Sequence, residues 1–201
     1  MRYLALGDSY TIGEGVALEG RWPVQLARAL RAEGIELRDP RIIATTGWTT
    51  DELASAIDAA EPLGHWDLVS LLIGVNNQYR NRTLVDYRTE FAQLLERAIG
   101  FANGRADRVI VLSIPDWAVT PFGIGEAPTR GDVSGEIDAF NAIAREIAQA
   151  HGVTYVDITP ASRARGADPD QVAEDGLHPS GAMYTTWTGI ALPVARGLLS
   201  K

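Results

Sequence analysis

Short apolar runs alternate with longer amphipathic segments along the whole chain. Five runs rich in Val, Ile, Leu or Tyr and bounded by turn residues have the length of buried β-strands. In chain order they read RYLALG, LRDPRIIA, DLVSLLIG, RVIVLSIP and VTYVDIT. Between and after them, apolar residues recur at helical spacing, which predicts α-helices at about 22–33, 50–60, 83–100, 135–151 and 180–199. Thr49 and Glu52 form the sequence pattern of a capping box at the start of the second helix.

This alternation of strand and helix predicts the fold class. Strands that are apolar along nearly their whole length fit a parallel sheet covered by helices on both faces and joined by right-handed crossovers. We therefore expect an α/β protein with a five-stranded parallel sheet. At 201 residues the chain can bury a sizeable core, and residues 1–201 are predicted to form one domain. Ligands of such sheets bind beyond the carboxyl ends of the strands.

Composition narrows the classes of partner. The hydrophobic fraction of 46% and the charged fraction of 22% are typical of a soluble globular protein. A formal net charge of -8 without a local Lys/Arg cluster disfavours nucleic acid and anionic membranes. Cysteine is absent, which excludes disulfides and thiolate chemistry. No apolar run reaches the roughly 20 residues of a membrane span, and no secretory signal precedes the first strand, so we expect a cytoplasmic protein without membrane insertion.

Candidate catalytic groups follow the first and last strands. Gly7-Asp8-Ser9 ends the first strand with a hydroxyl on the ligand side of the sheet. His65 and His151 fit structural positions in a loop and at a helix C-terminus, whereas His178 has Asp175 three residues earlier in one loop. Nucleophilic catalysis needs a hydroxyl, a base and a group that orients the base. Ser9, His178 and Asp175 are therefore a candidate triad.

Two further loops carry donors for an oxyanion. Gly47 has no side chain to block approach to its N–H, and Asn76 carries an amide that can reach past a strand end. With the N–H of Ser9 they make three candidate donors for acyl transfer. Each of these residues alone also fits an ordinary turn or helix cap. Their combination at one edge of the sheet favours a catalytic site.

The long segment PDWAVTPFGIGEAPTRGDVSG, after the fourth strand, is predicted to be an irregular loop over a pocket. Candidate substrate-binding residues lie in this segment and just beyond Asn76; they are Asn77, Tyr79, Arg80, Trp117 and Phe122. No extra helical lid is evident, so we expect short acyl esters to be preferred.

The three histidines are scattered and lack the close spacing of metal ligands, so we expect neither a metal nor another cofactor.

Four sequence blocks together resemble those of a known family. GDSY with Ser9, TTGWTT with Gly47, GVNN with Asn76 and DGLH with Asp175 and His178 are similar, in order, to the blocks of the SGNH hydrolases, also called GDSL esterases and lipases. The resemblance spans nearly the whole chain. It implies a flavodoxin-like, three-layer α/β/α fold and serine hydrolysis of esters. It also implies a nucleophile at Ser9, a base at His178, its orienting acid at Asp175, and oxyanion donors at Ser9, Gly47 and Asn76.

Two departures from the family pattern concern loops. Asn77 stands where the third block usually has Asp, which removes a charge, and the second block is abbreviated around Gly47. Other enzyme classes fit less well, because the chain lacks the Gly-x-Ser-x-Gly elbow of α/β-hydrolases and Leu18 replaces the third glycine of a dinucleotide loop.

The interpretation that follows is a serine esterase acting on a small-molecule ester, either a short-chain ester or an acylated sugar. Three alternatives stay open. The same site suits a lysophospholipase or thioesterase, and it suits an acyltransferase. The same fold also suits a non-catalytic module that binds acyl groups or glycans.

Overall fold

A five-stranded parallel sheet forms the centre of the molecule. The computed structural model describes residues 1–200, apart from the side chain of Pro128. The strand order is β2-β1-β3-β4-β5, and all pairs are parallel. The strands are β1 (Tyr3–Gly7), β2 (Arg41–Ala44), β3 (Leu68–Leu72), β4 (Val109–Leu112) and β5 (Thr154–Val156). Every residue of β1, β3 and β4 is buried, as expected for strands covered on both faces.

Helices cover both faces of the sheet. They are α1 (Ser9–Ile12), α2 (Trp22–Ala32), α3 (Thr50–Ala60), α4 (Val75–Tyr79), α5 (Leu84–Phe101), α6 (Pro121–Arg130), α7 (Val133–Ala150), α8 (Thr159–Arg165) and α9 (Gly181–Leu199). Helices α2 and α9 pack against each other, whereas α5 packs against α3 and α7. The chain therefore forms three layers, and the predicted α/β/α architecture is confirmed.

The direction in which the chain builds the sheet reverses at β1. The first crossover leads from β1 outward to β2, and the following ones lead through β3 and β4 to β5 on the other side. Right-handed crossovers then place the connecting helices on opposite faces. The resulting crevice between the carboxyl ends of β1 and β3 is where ligands bind in sheets of this kind.

The predicted elements agree with the structure except in the loops. All five strands and all five long helices are present, and the N–H of Thr49 donates to Glu52 Oε2 at 2.9 Å as the capping box requires. The second strand is only Arg41–Ala44, because Pro40 has no N–H to donate to a ladder. The prediction of an irregular loop after β4 is wrong, since this segment contains a 3-10 turn at Trp117–Val119 and helix α6.

An aromatic cluster joins the beginning of the chain to its last helix. The ring of Tyr10 in α1 lies 6.0 Å from Trp187 in α9, which in turn lies 5.1 Å from Tyr184. The contact holds the turn after β1 against the helix that follows His178. Within residues 1–200, no helix has both the length and the apolar character needed to span a membrane.

Candidate active site

Ser9 lies in a tight turn between β1 and α1. A Cβ at Gly7 would lie 2.4 Å from Leu72 O and 2.2 Å from Thr11 Oγ1, so only glycine fits where the strand ends. Asp8 caps the helix, because its Oδ1 accepts a hydrogen bond from the N–H of Tyr10 at 3.0 Å. Ser9 is the first residue of α1, and its N–H therefore has no acceptor within the helix.

Asp175 and His178 form a hydrogen-bonded pair in the loop before α9. Asp175 Oδ2 lies 2.6 Å from His178 Nδ1, and Asp175 Oδ1 accepts the backbone N–H groups of Leu177 and His178, each at 2.9 Å. Burial alone would raise the pKa of Asp175, but these hydrogen bonds outweigh it and hold that pKa below its ordinary value. The carboxylate therefore stays ionised and orients the imidazole, and Nε2 is left as the nitrogen that can exchange a proton.

The loop after β2 presents a second backbone donor. The N–H of Trp48 donates to Thr45 O at 3.3 Å, and Gly47 has a φ of 89° in this turn. A positive φ at the third position is the mark of a type II turn and favours glycine. The N–H of Gly47 donates to no protein acceptor within the described residues. It is thus available to a ligand.

Asn76 is the second residue of α4, the short helix that follows β3. Its Nδ2 donates to Trp48 O at 2.9 Å. This hydrogen bond connects α4 to the turn that contains Gly47. A side-chain amide has two N–H groups, so one remains for a ligand.

One cleft brings the four sequence blocks together. It has a volume of about 180 Å³, and Ser9, Gly47, Asn76 and His178 all line it. The other lining residues are Tyr10, Thr46, Val75, Tyr79, Trp117, Phe122 and Leu177. The structure therefore places the proposed nucleophile, base and oxyanion donors around one space, with the predicted wall residues Tyr79, Trp117 and Phe122 beside them.

Asn77 and Arg80 do not line the cleft, contrary to the expectation that they bind substrate. Asn77 has no exposed surface; its Oδ1 accepts from the N–H of Thr50 at 3.1 Å and its Nδ2 donates to Thr50 Oγ1 at 2.6 Å. Arg80 Nη2 donates to Gly47 O at 2.6 Å. Asn77 is occupied by the start of α3 and Arg80 by the loop before it, which explains why neither side chain reaches the cleft.

Gln78 is a contributor that the sequence patterns did not single out. It is buried, its Oε1 accepts from Trp117 Nε1 at 2.9 Å and its Nε2 donates to Glu136 at 2.6 Å. It thereby fixes the indole that forms one wall of the cleft. Leu177 and Thr46 were also missed, although each adjoins a motif residue in the sequence, which is a signal that could have identified them.

The described residues contain no cluster suited to a metal ion. Within residues 1–200, no group of three or more His, Asp or Glu side chains is close enough to ligate one. Metal-independent chemistry stays a prediction from the sequence.

The four sequence blocks thus meet at the carboxyl edge of a parallel three-layer α/β fold, with Ser9, Gly47, Asn76 and His178 around one cleft at the switch point of the sheet. The chain belongs to the GDSL-like lipase/acylhydrolase family, whose sequence model matches residues 5–186. Among curated proteins, no sequence match to the chain was found.

Solved structures of similar fold cover almost the whole chain. The structure of TesA is 19% identical with a TM-score of 0.77, and the match covers 99% of this chain and 100% of TesA. A lipase/acylhydrolase from Enterococcus faecalis is 22% identical with a TM-score of 0.74, covering 98% and 96% of the two chains. Axe2, an acetylxylan esterase from Geobacillus stearothermophilus, is 20% identical with a TM-score of 0.73, covering 96% and 93%. These likenesses concern the fold.

Proposed function

We propose that the protein is a serine esterase that hydrolyses small acyl esters, either short-chain esters or acylated sugars, through an acyl-enzyme on Ser9. The observation that carries this proposal is that His178, which is hydrogen-bonded to Asp175, lines the same cleft as Ser9. Family membership supports hydrolysis as the reaction class. Two of the similar folds belong to proteins named as a lipase/acylhydrolase and an acetylxylan esterase.

In the first half of the reaction, Ser9 Oγ attacks the ester carbonyl carbon. His178 Nε2 takes the hydroxyl proton as the C–O bond forms, and the ionised Asp175 stabilises the imidazolium. The carbonyl oxygen becomes an oxyanion that accepts hydrogen bonds from three donors: the N–H groups of Ser9 and Gly47 and the second amide N–H of Asn76. The intermediate collapses, and the imidazolium gives its proton to the departing alkoxide.

In the second half, a water molecule replaces the alcohol. His178 Nε2 takes a proton from this water, whose oxygen attacks the acyl carbon, and the same three donors receive the new oxyanion. Collapse returns the proton to Ser9 Oγ and releases the carboxylic acid. Each proton removed by His178 is thus returned within the same half-reaction.

The lining of the cleft favours a neutral, small acyl ester. Its lining contains no Asp, Glu, Lys or Arg side chain, and besides His178 it has four aromatic side chains, those of Tyr10, Tyr79, Trp117 and Phe122. Such a surface binds apolar acyl groups, and aromatic faces also suit the apolar face of a sugar ring.

Replacement of the nucleophile tests the proposal directly. We expect Ser9→Ala to remain folded, to lose ester hydrolysis by roughly 10⁴-fold and to lose labelling by a fluorophosphonate, because the covalent route needs the hydroxyl. Ser55→Ala is the control, since Ser55 is exposed on α3 and donates only to Asp51 O. Near wild-type activity of Ser9→Ala would show that another nucleophile exists.

The same assay separates the roles of the base and its partner and tests the acceptor. His178→Ala should lose more activity than Asp175→Asn, because Asp175 orients the base without taking the proton itself.

Mass analysis of products formed with added alcohols distinguishes hydrolysis from acyl transfer. Free acid as the main product supports the esterase, and a new ester as the main product supports the acyltransferase alternative.

A further inference from the structure

Three side chains from α4 and the residue after it bind the loop that contains Gly47 or the start of α3. Asn76 donates to Trp48 O at 2.9 Å, Asn77 exchanges two hydrogen bonds with Thr50, and Arg80 Nη2 donates to Gly47 O at 2.6 Å. The third contact reaches Gly47, which lines the cleft and whose N–H has no protein acceptor within the described residues. The turn that carries Gly47 and helix α4, which carries Asn76, are therefore joined to each other before any ligand arrives.

Arg80 is itself held in place from the other side. Its Nη1 lies 3.3 Å from both carboxylate oxygens of Glu52, the residue that caps α3 by accepting the N–H of Thr49 at 2.9 Å. The hydrogen bond from this backbone N–H, together with those from Thr49 Oγ1 and Arg80, keeps the pKa of Glu52 below its ordinary value. Glu52 is thus an anion that fixes the guanidinium relative to α3.

The backbone at Gly47 needs such an anchor, because its N–H and its carbonyl belong to two adjacent peptide units that rotate about the Gly47 Cα. Glycine adopts positive and negative φ with similar ease, so the turn alone does not fix the direction of the N–H. That N–H has no protein acceptor within the described residues, whereas the carbonyl of the same residue has Arg80. An oxyanion donor is effective only when it points at the developing charge before the reaction begins.

We propose that Arg80 is a positioning residue for the oxyanion donors. Its guanidinium, held by Glu52, fixes the carbonyl of Gly47 and with it the peptide unit that follows the Gly47 Cα. This limits the φ and ψ rotations at Gly47 that would turn its N–H away from the cleft and from Asn76. Arg80 acts through the backbone and does not touch the substrate. This inference rests on the proposed esterase function.

The test compares Arg80→Ala and Arg80→Lys with Arg82→Ala. Arg82 is a matched control because its side chain, like that of Arg80, is 43% exposed, and because it also pairs with an acid of α3, Asp51, at 3.5 Å. It does not line the cleft. Melting temperatures of all variants establish that they are folded.

We expect Arg80→Ala to lower kcat about 10- to 100-fold with KM within about twofold, since the transition state loses a preorganised donor while the substrate-binding wall stays intact. Arg80→Lys should be intermediate, because an ammonium group donates to Gly47 O but lacks the planar fork that also reaches Glu52. Arg82→Ala should stay within about twofold of the wild type.

A boronic acid that forms a tetrahedral adduct with Ser9 provides a second measurement. Its inhibition constant should weaken in Arg80→Ala by about the same factor as kcat/KM, as expected for a mimic of the transition state. An unchanged kcat, a loss confined to KM, or equal losses in Arg80→Ala and Arg82→Ala would each overturn the inference. Failure of the esterase proposal looks different, because the wild type itself would then neither hydrolyse esters nor bind the boronic acid.

Discussion

Asp8 places a fully buried carboxyl group next to the proposed nucleophile. One oxygen accepts the N–H of Tyr10, and the other, Oδ2, has no hydrogen-bond partner within the described residues. Burial raises the pKa of Asp8 to about 7, because the hydrogen bond from Tyr10 offsets only part of the desolvation cost. The residue therefore holds the turn in shape at the cost of burying a group that prefers to be neutral.

This raised pKa makes stability depend on pH in a defined direction. Between about pH 4 and 7 the native state binds more protons than the unfolded state, so the contribution of Asp8 to the free energy of unfolding falls as pH rises. Asp8→Asn keeps the acceptor for Tyr10 and removes the titration. We expect its free energy of unfolding, relative to the wild type, to rise between pH 4 and 8 by on the order of a few kcal/mol.

Urea unfolding of both proteins at several pH values measures this difference. Asp39→Asn is a suitable control, because the Asp39 side chain is 78% exposed. A difference between Asp8→Asn and the wild type that stays constant across the range would contradict the assignment of a raised pKa to Asp8.

At the scale of elements, α6 connects the two halves of the site. Near its start, the N–H of Phe122 donates to Gly176 O at 3.0 Å in the loop that carries Asp175 and His178. At its end, Arg130 Nη1 donates to Tyr79 O at 2.8 Å, and its guanidinium lies 3.8 Å from the centre of the Tyr79 ring. Helix α6 therefore closes one side of the cleft, although the segment reads as a loop in the sequence.

The sequence has a helix start signal at the beginning of α6, but the glycines that follow it argue against a helix. Thr120 Oγ1 accepts the N–H of Gly123 at 3.1 Å, and Pro121 occupies the first turn, as at many helix starts. Glycine normally argues against a helix. At Gly123 it is needed for packing, because a Cβ would lie 2.1 Å from Trp117 O. This close approach is a property of the folded chain that helix propensity does not contain.

Acyl-chain selectivity is expected to depend on the contact between α6 and Tyr79. For the wild type we expect kcat/KM to peak at acetyl to butyryl esters, because α6, Tyr79 and Trp117 limit the cleft on this side. Arg130→Ala removes the hydrogen bond to Tyr79 O and the guanidinium over the Tyr79 ring. The variant should therefore raise kcat/KM for hexanoyl relative to acetyl esters by several-fold. Each accommodated methylene adds about 0.8 kcal/mol of binding.

A series of p-nitrophenyl esters measures both profiles. Arg145→Ala is the control, since Arg145 also lies over a tyrosine ring, that of Tyr155 at 4.9 Å, and Tyr155 does not line the cleft. Higher kcat/KM of the wild type for dodecanoyl than for acetyl esters would overturn the short-chain preference. An unchanged profile in Arg130→Ala would show that α6 does not set the limit.

For the whole molecule, we predict that residues 1–201 unfold as one domain. Residues from both helical layers and from the sheet belong to one contiguous cluster of buried apolar side chains, so neither layer keeps its core without the other. Tryptophan fluorescence, which includes the buried Trp22 and Trp187, should therefore give the same urea midpoint as far-ultraviolet circular dichroism. Separate midpoints would indicate that parts of the chain unfold independently.

Patterns that are local in the chain were sufficient for most of the fold and part of the site. The spacing of apolar residues depends on positions that are close together in the chain. It predicted the strands, the long helices and, through their alternation, the parallel arrangement of the strands. The pair of Asp175 and His178 was also predictable, because a spacing of three within one loop leaves the side chains close together.

The tertiary structure alone decided which distant groups meet. Ser9 and His178 line one cleft only because the sheet order brings the first and last loops to the same edge. Asn77 and Arg80 were expected to face substrate, but Thr50 at the start of α3 binds Asn77 and the carbonyl of Gly47 binds Arg80 instead. A polar side chain takes whichever partners folding places beside it, and these partners belong to residues far away in the sequence.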